Sequence, residues 1–149
     1  MFDTVLIAGL GLMGGSMAKT IKARTLSRVL GWNRTRATAE QALADGSIDA
    51  IATEALYKEA DLVIIGLYPQ ATVDWLLENM PKMKKGCVIV DMVGVKQFMV
   101  DHLEQAALDA GVHYVGGHPM AGSEKTGYES STDHLLENAY YIITPTKKS

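Results

Sequence analysis

Apolar residues lie along the chain in short, almost uninterrupted runs, separated by longer segments in which they recur every three or four positions. The runs predict strands that are buried on both faces, and the spacing between the runs predicts amphipathic helices. The predicted strands cover residues 4–8, 28–32, 48–52, 62–67, 87–91, 112–115 and 140–144, and the predicted helices cover 14–24, 35–44, 69–79 and 96–110. Glycine or proline stands at several boundaries, as at Gly46, Pro69 and Gly111, where such residues end or begin helices.

Strands that alternate with helices in this way predict an α/β fold with a doubly wound, mostly parallel sheet, of the Rossmann-like kind. In such a sheet, ligands bind beyond the carboxyl ends of the strands, near the point where the strand order reverses. The residues that directly follow each predicted strand are therefore the first place to look for function.

Composition narrows the class of protein. A chain of 149 residues with 48% hydrophobic residues is not disordered and has the length of one domain. No apolar run approaches the roughly 20 residues that span a membrane, and the net charge of −3 comes without a basic stripe. Cys87, the single cysteine, has no partner for an internal disulfide. We therefore expect a cytoplasmic protein that binds neither nucleic acid nor membrane, and no residue spacing suggests a metal site.

A glycine-rich run follows the first predicted strand and opens the first predicted helix. Its residues are Gly9, Leu10, Gly11, Leu12, Met13 and Gly14. In a dinucleotide-binding turn of this pattern, Gly9 permits the tight turn, Gly11 lets a pyrophosphate approach the backbone, and Gly14 lets the helix pack closely on the strand. The free N–H groups of the helix would then face the phosphates. The alternative is a structural strand–helix turn without a ligand.

The residue at the end of the second strand predicts which dinucleotide is bound. NAD-preferring sites place an acid there, about 20 residues after the glycines, to bind the ribose 2′-hydroxyl. Here the run is Asn33, Arg34 and Thr35, with no acid. Asn33 and Thr35 can donate hydrogen bonds to a 2′-phosphate and Arg34 can pair with it, so the sequence predicts NADP. If Arg34 were only a surface charge at a helix start, it would oppose the helix dipole.

Two further strand ends are predicted to border the cofactor. Leu67, Tyr68 and Pro69 follow the fourth strand, close to the expected position of the nicotinamide ribose. Gly94 follows the fifth strand, and we expect it to lie near the active site. Elsewhere, Trp75 and Met80 are expected in the core, and His113 is expected to be a structural residue of its strand.

A loop rich in glycine and polar residues follows the strand at 112–115. Residues 116–127 contain four glycines, His118, Ser123 and Glu124 at the ligand-binding edge of the predicted sheet. A histidine here can act as a general base near neutral pH, because its ordinary pKa is about 6.5. By itself, a loop histidine is more often structural or exposed than catalytic.

The segments 9–16, 91–96 and 116–125 together resemble prephenate dehydrogenase, and the run HPMAGSE at 118–124 is specific to that family and its close relative arogenate dehydrogenase. The resemblance covers essentially the whole chain but only the family's N-terminal cofactor domain. It implies oxidative decarboxylation of prephenate to 4-hydroxyphenylpyruvate in tyrosine biosynthesis. It also implies that His118 takes up the proton of the ring hydroxyl, and that Ser123 and Glu124 line or gate the substrate pocket.

The chain departs from the family pattern in two respects. Many members have a serine where this chain has Gly94, so that water or Ser123 would have to replace its hydroxyl. The family also has a helical C-terminal domain that forms a homodimer and supplies a substrate-binding arginine, whereas this chain ends at Ser149. We therefore expect a fragment of a longer dehydrogenase. The alternatives are arogenate or another hydroxyacid dehydrogenase, and an NADP(H)-binding module without catalysis.

Overall fold

A computed structural model describes residues 2–92 and 97–115 of the chain. The strand expected at 140–144 lies outside them, as do the predicted site residues Gly94, His118, Ser123 and Glu124.

The described strands form one six-stranded sheet in which every pair is parallel. The strands are β1 (Thr4–Ala8), β2 (Arg28–Trp32), β3 (Ala50–Ile51), β4 (Leu62–Ile65), β5 (Val88–Asp91) and β6 (His113–Val115). Their order is β3-β2-β1-β4-β5-β6, so the chain builds outward from β1 in one direction and then crosses over to build in the other. This confirms the predicted Rossmann-like architecture and places the reversal of strand order between β1 and β4.

Helices cover both faces of the sheet. They are α1 (Leu12–Arg24), α2 (Arg36–Ala44), α3 (Glu54–Tyr57), α4 (Pro69–Asn79) and α5 (Gln97–Ala110), with a 3-10 helix over Met80–Lys82. Successive strand residues point to opposite faces and enter separate hydrophobic clusters. In β1, Leu6 and Ala8 belong to the cluster that α4 and α5 complete, and Val5 and Ile7 belong to the cluster that α1 and α2 complete. Burial on both faces is the reason the strands read as continuous apolar runs.

The predicted elements are correct in kind but differ at their ends. Helix α1 begins at Leu12, two residues before the predicted start, because Gly11 in an extended conformation already forms its N-cap. Strand β4 ends at Ile65 and does not reach residue 67. The third strand, predicted over 48–52, is reduced to Ala50–Ile51 with single backbone hydrogen bonds on either side. The starts of α2, β5, α5 and β6 lie one residue later than predicted, and α3 was not predicted.

The two residues expected in the core, Trp75 and Met80, are found there. Trp32 packs against Trp75 with ring centroids 5.7 Å apart. Cys87 is buried, and burial raises its pKa to about 12, so the thiol is inert at neutral pH. His113 is exposed at the start of β6. Within residues 2–92 and 97–115, no helix is long and apolar enough to cross a membrane.

Candidate cofactor-binding site

Two glycines after β1 occupy positions where no other residue fits. Gly9 has a φ of +96°, and a Cβ built on it would lie 2.9 Å from the carbonyl carbon of Gly66 and 2.8 Å from Cδ2 of Leu67. A Cβ on Gly14 would lie 1.7 Å from the carbonyl oxygen of Gly9, a position that is already filled. The first turn of α1 is thus pressed directly against the end of β1. Both glycines are required for the backbone to fold, whatever the loop binds.

The third glycine of the loop, Gly11, has a different environment. A Cβ on Gly11 would meet no described atom within 4 Å, and its φ of −78° is accessible to any residue. Packing therefore does not explain why this position is glycine. Gly11 is the N-cap of the 13-residue helix α1, and no side-chain hydrogen bond caps that helix. The first N–H groups of α1 and the open space at Gly11 together fit a pyrophosphate approaching the backbone closely.

Asn33 connects this loop to the turn between β2 and α2. The backbone N–H of Leu10 donates to Oδ1 of Asn33 at 2.9 Å, and Nδ2 of Asn33 donates to the carbonyl oxygen of Thr35 at 3.0 Å. The backbone N–H of Gly9 also donates to the carbonyl oxygen of Trp32 at 2.8 Å. The structure thus brings the glycine loop and residues 33–35 together at the carboxyl edge of the sheet. Arg34 and Thr35 are exposed there.

The turn between β4 and α4 forms the other side of the cleft. Cδ2 of Leu67 lies 2.8 Å from the position that a Cβ on Gly9 would take, and Tyr68 is 80% exposed as the N-cap of α4, directly before Pro69. The hydroxyl of Thr72, which is buried in α4, donates to the carbonyl oxygen of Leu67 at 3.0 Å and fixes the turn. The predicted residues after β1, β2 and β4 therefore lie around one switch point. Their contact with a cofactor stays a prediction.

Sequence reasoning overlooked Gly66. A Cβ on Gly66 would lie 3.0 Å from the carbonyl oxygen of Gly9 and 3.1 Å from the backbone nitrogen of Gly14, so Gly66 lets β4 approach the glycine loop. The sequence contains an indication of this role, because Gly66 directly follows the apolar run of β4, where a turn can begin. The predicted strand over 62–67 includes Gly66, whereas β4 ends at Ile65 and Gly66 begins the turn.

A buried carboxylate ends β5 and was also overlooked. Asp91 is fully buried, and the hydroxyl of Tyr114 in β6 lies 3.3 Å from its Oδ2. Burial, and then the negative charge of Asp91, raise the pKa of Tyr114, so the phenol stays protonated and donates this bond. The pair links the ends of the two strands that precede segments 93–96 and 116–125 in the sequence. An acid at the end of an apolar run is the feature of the sequence that could have indicated this buried pair.

In the described part of the chain, no cluster of three or more potential ligands could hold a metal ion.

The parallel sheet, the reversal between β1 and β4 and the glycine loop define a Rossmann-like nucleotide-binding domain. The family model for "prephenate dehydrogenase, nucleotide-binding domain" matches residues 17–149. The chain belongs to the prephenate dehydrogenase family and corresponds to its nucleotide-binding domain.

Individual relatives agree with this assignment. The chain is 40% identical over 153 residues to prephenate dehydrogenase of Bacillus subtilis, covering 100% of this chain and 41% of the relative. It is 30% identical to cyclohexadienyl dehydrogenase of Zymomonas mobilis, covering 97% of this chain and 50% of the relative. A crystal structure of prephenate dehydrogenase from A. aeolicus, in complex with hydroxyphenyl propionate and NAD+, superposes with a TM-score of 0.81 at 29% identity, covering 100% of this chain and 52% of that one. The chain thus spans about half or less of the length of these proteins.

Proposed function

We propose that the chain supplies the NADP-binding domain and the catalytic histidine of a prephenate dehydrogenase, which converts prephenate to 4-hydroxyphenylpyruvate. The observation that carries the proposal is the open backbone at Gly11, between two glycines that packing requires. A loop built only for packing has no need of a third glycine there. The reaction is proposed from the membership of the chain in the prephenate dehydrogenase family.

Three residues of the chain are assigned to the substrate side of this reaction. The nicotinamide, when bound, supplies the acceptor for the hydride that leaves the ring carbinol carbon. His118 takes the hydroxyl proton as the carbon–oxygen double bond forms, and it returns the proton to the phenolic oxygen after the ring carboxylate has left as carbon dioxide. Ser123 and Glu124 line the substrate pocket. Aromatisation of the ring provides the driving force, so the main contribution of the protein is to position the reacting groups.

Cofactor preference is part of the proposal. The turn after β2 has no carboxylate that would repel a 2′-phosphate, and the exposed Arg34 and Thr35 stand at the start of α2. A guanidinium pairs with a phosphate through two parallel hydrogen bonds, which an NADH ribose hydroxyl cannot match. We therefore propose NADP, although the solved relative from A. aeolicus was crystallised with NAD+.

A second substrate has support from one relative. The similar protein from Zymomonas mobilis is named cyclohexadienyl dehydrogenase, and the rings of prephenate and of arogenate are both cyclohexadienyl rings. The contacts that distinguish the two substrates are expected mainly in the helical domain of the family. Arogenate dehydrogenation is therefore the second candidate function.

The test of the reaction is a turnover assay with two substrates. This chain and the longest gene product that contains it are each incubated with NADP and prephenate, and separately with arogenate, while NADPH absorbance is recorded. We expect NADPH formation by the longer product. Turnover with neither substrate would overturn the dehydrogenase proposal, and would leave a nucleotide-binding module if NADPH still binds.

Arg34 provides the test of cofactor preference. In Arg34→Ala, we expect the dissociation constant for NADPH to rise by about 10- to 100-fold, because a charge-assisted hydrogen bond contributes about 1.5–3 kcal/mol. The constant for NADH should change by less than about twofold, since NADH has no 2′-phosphate for the guanidinium to bind. Both constants are measured by fluorescence titration.

The matched control is Arg28→Ala, which removes the same charge from the opposite edge of the sheet. Arg28 begins β2 and pairs with Glu59 at 2.7 Å, away from the glycine loop. We expect its NADPH and NADH affinities to equal those of the wild type. Equal wild-type affinities for NADPH and NADH would contradict the preference for NADP.

A further inference from the structure

We propose that Asn33 is a positioning residue that ties the pyrophosphate loop to the 2′-phosphate turn, and that it does not itself bind the 2′-phosphate. The inference rests on the proposed function, because it assumes that a dinucleotide lies across the loop formed by residues 9–14. It replaces the direct role that the sequence suggested for Asn33. Arg34 and Thr35 are then the side chains that bind the 2′-phosphate.

The two polar atoms of the Asn33 amide are both engaged inside the protein. Oδ1 accepts the N–H of Leu10 at 2.9 Å, and Nδ2 donates to the carbonyl oxygen of Thr35 at 3.0 Å. Leu10 is fully buried in the middle of the glycine loop, so its N–H depends on a protein partner. Oδ1 therefore satisfies a backbone group of the pyrophosphate loop, and Nδ2, the only donor that Asn33 could offer to a 2′-phosphate, is bonded to the carbonyl oxygen of Thr35.

The position of these two bonds indicates that Asn33 would control the spacing between the pyrophosphate and 2′-phosphate subsites. Leu10 lies just before Gly11, the N-cap of α1, and Thr35 is the N-cap of α2. One side chain thus spans the starts of the two helices whose ends would receive the pyrophosphate and the 2′-phosphate. Gly9 adds a single backbone bond to the carbonyl oxygen of Trp32, and this bond does not reach either N-cap. Loss of Asn33 would loosen the spacing of both subsites at once.

The two roles predict different binding patterns. A positioning residue supports every dinucleotide that crosses the loop, so Asn33→Ala should weaken NADPH and NADH by the same factor, about tenfold for the loss of two hydrogen bonds. A 2′-phosphate ligand would weaken NADPH alone, as Arg34→Ala is expected to do. Nδ2 retains a second N–H, so the ratio of the two dissociation constants is the quantity that decides between them.

The conservative variant adds a rescue. Asn33→Asp loses the donor to Thr35, but it keeps an acceptor for the N–H of Leu10 and adds a carboxylate that can accept the ribose 2′-hydroxyl of NADH. Its affinity for NADH should therefore exceed that of Asn33→Ala. NADH is the probe here because a carboxylate would repel the 2′-phosphate of NADPH. NADH binding by Asn33→Asp that is no stronger than that by Asn33→Ala would contradict the role of the bond to Leu10.

The experiment measures both dissociation constants for the wild type and the variants of the full chain by fluorescence titration, below the unfolding temperature of each. Equal weakening in Asn33→Ala supports the inference, and loss of NADPH affinity alone overturns it while leaving the proposed function intact. Failure of the wild type to bind either nucleotide would overturn the proposed function and the inference with it.

If Asn33→Ala does not fold, the side-chain amide resonances of wild-type Asn33 are followed by NMR. A larger shift with 2′-AMP than with 5′-AMP would overturn the inference, and equal shifts would support it.

Discussion

Gly14→Ala should lose at least about 3 kcal/mol of folding free energy, a large part of the roughly 5–15 kcal/mol that stabilises a domain. The added methyl group would lie 1.7 Å from the carbonyl oxygen of Gly9 and 2.9 Å from its carbonyl carbon. Both are backbone atoms, so neither can rotate away as a side chain would. Relief of the overlap requires α1 to move off β1, which is at the centre of the described sheet. Overpacking against backbone atoms therefore destabilises the folded state strongly.

The measurement is urea or thermal unfolding followed by circular dichroism. For a chain of this size, 3 kcal/mol corresponds to a fall in Tm of about 10 °C. The matched control is Gly11→Ala, three residues earlier in the same loop. A Cβ at Gly11 meets no described atom within 4 Å, and the φ of −78° suits alanine. Its stability should therefore fall only by the small cost of alanine at an N-cap, about 1 kcal/mol or less.

The same pair of variants separates folding from binding. In Gly11→Ala, the methyl group stands where a pyrophosphate would approach the helix N-terminus, so NADPH affinity should fall at least about tenfold in a protein that is otherwise folded. A stable Gly14→Ala variant would show that α1 is not pressed against β1. Full NADPH affinity in Gly11→Ala would show that the loop does not hold the pyrophosphate.

The features that could be predicted from the sequence are those that short-range chemistry determines. Strands β1, β4 and β5 are buried on both faces, and this requires the apolar runs that revealed them. Gly9 and Gly14 were identified because the turn from a strand into a closely packed helix restricts the residue type locally. Pro69 and Gly111 marked the helix ends through the restrictions on their own backbones.

The features that could not be predicted depend on residues far apart in the chain. Asn33 meets Leu10 across 23 positions, and Tyr114 meets Asp91 across 23 positions. A local pattern shows that an amide follows β2, but it does not show which backbone group that amide satisfies. The predicted third strand is longer than β3 because the length of β3 depends on its pairing with β2, which is also distant in the sequence. Only Ala50 and Ile51 pair with β2.

His118→Asn should lower kcat by about 100- to 10,000-fold, the usual contribution of a positioned general base. In the proposed reaction, the hydride leaves the carbinol carbon only as its hydroxyl loses a proton, and the asparagine side chain cannot accept that proton at neutral pH. NADPH affinity should remain within about twofold of the wild type, because the role assigned to His118 is toward the substrate and contributes less than about 0.5 kcal/mol to cofactor binding. The assay uses the longest gene product that contains this chain, with NADP and prephenate.

The matched control is His113→Asn, five residues earlier in the sequence. His113 is exposed at the start of β6, at the edge of the sheet opposite the switch point, and its backbone N–H donates to the carbonyl oxygen of Cys87 at 2.8 Å. Its kcat should therefore equal that of the wild type. A His118→Asn enzyme with wild-type kcat would exclude the histidine as the base. Loss of NADPH binding in that variant would instead place the imidazole in the cofactor site, so kcat and the NADPH dissociation constant must be measured on the same preparation.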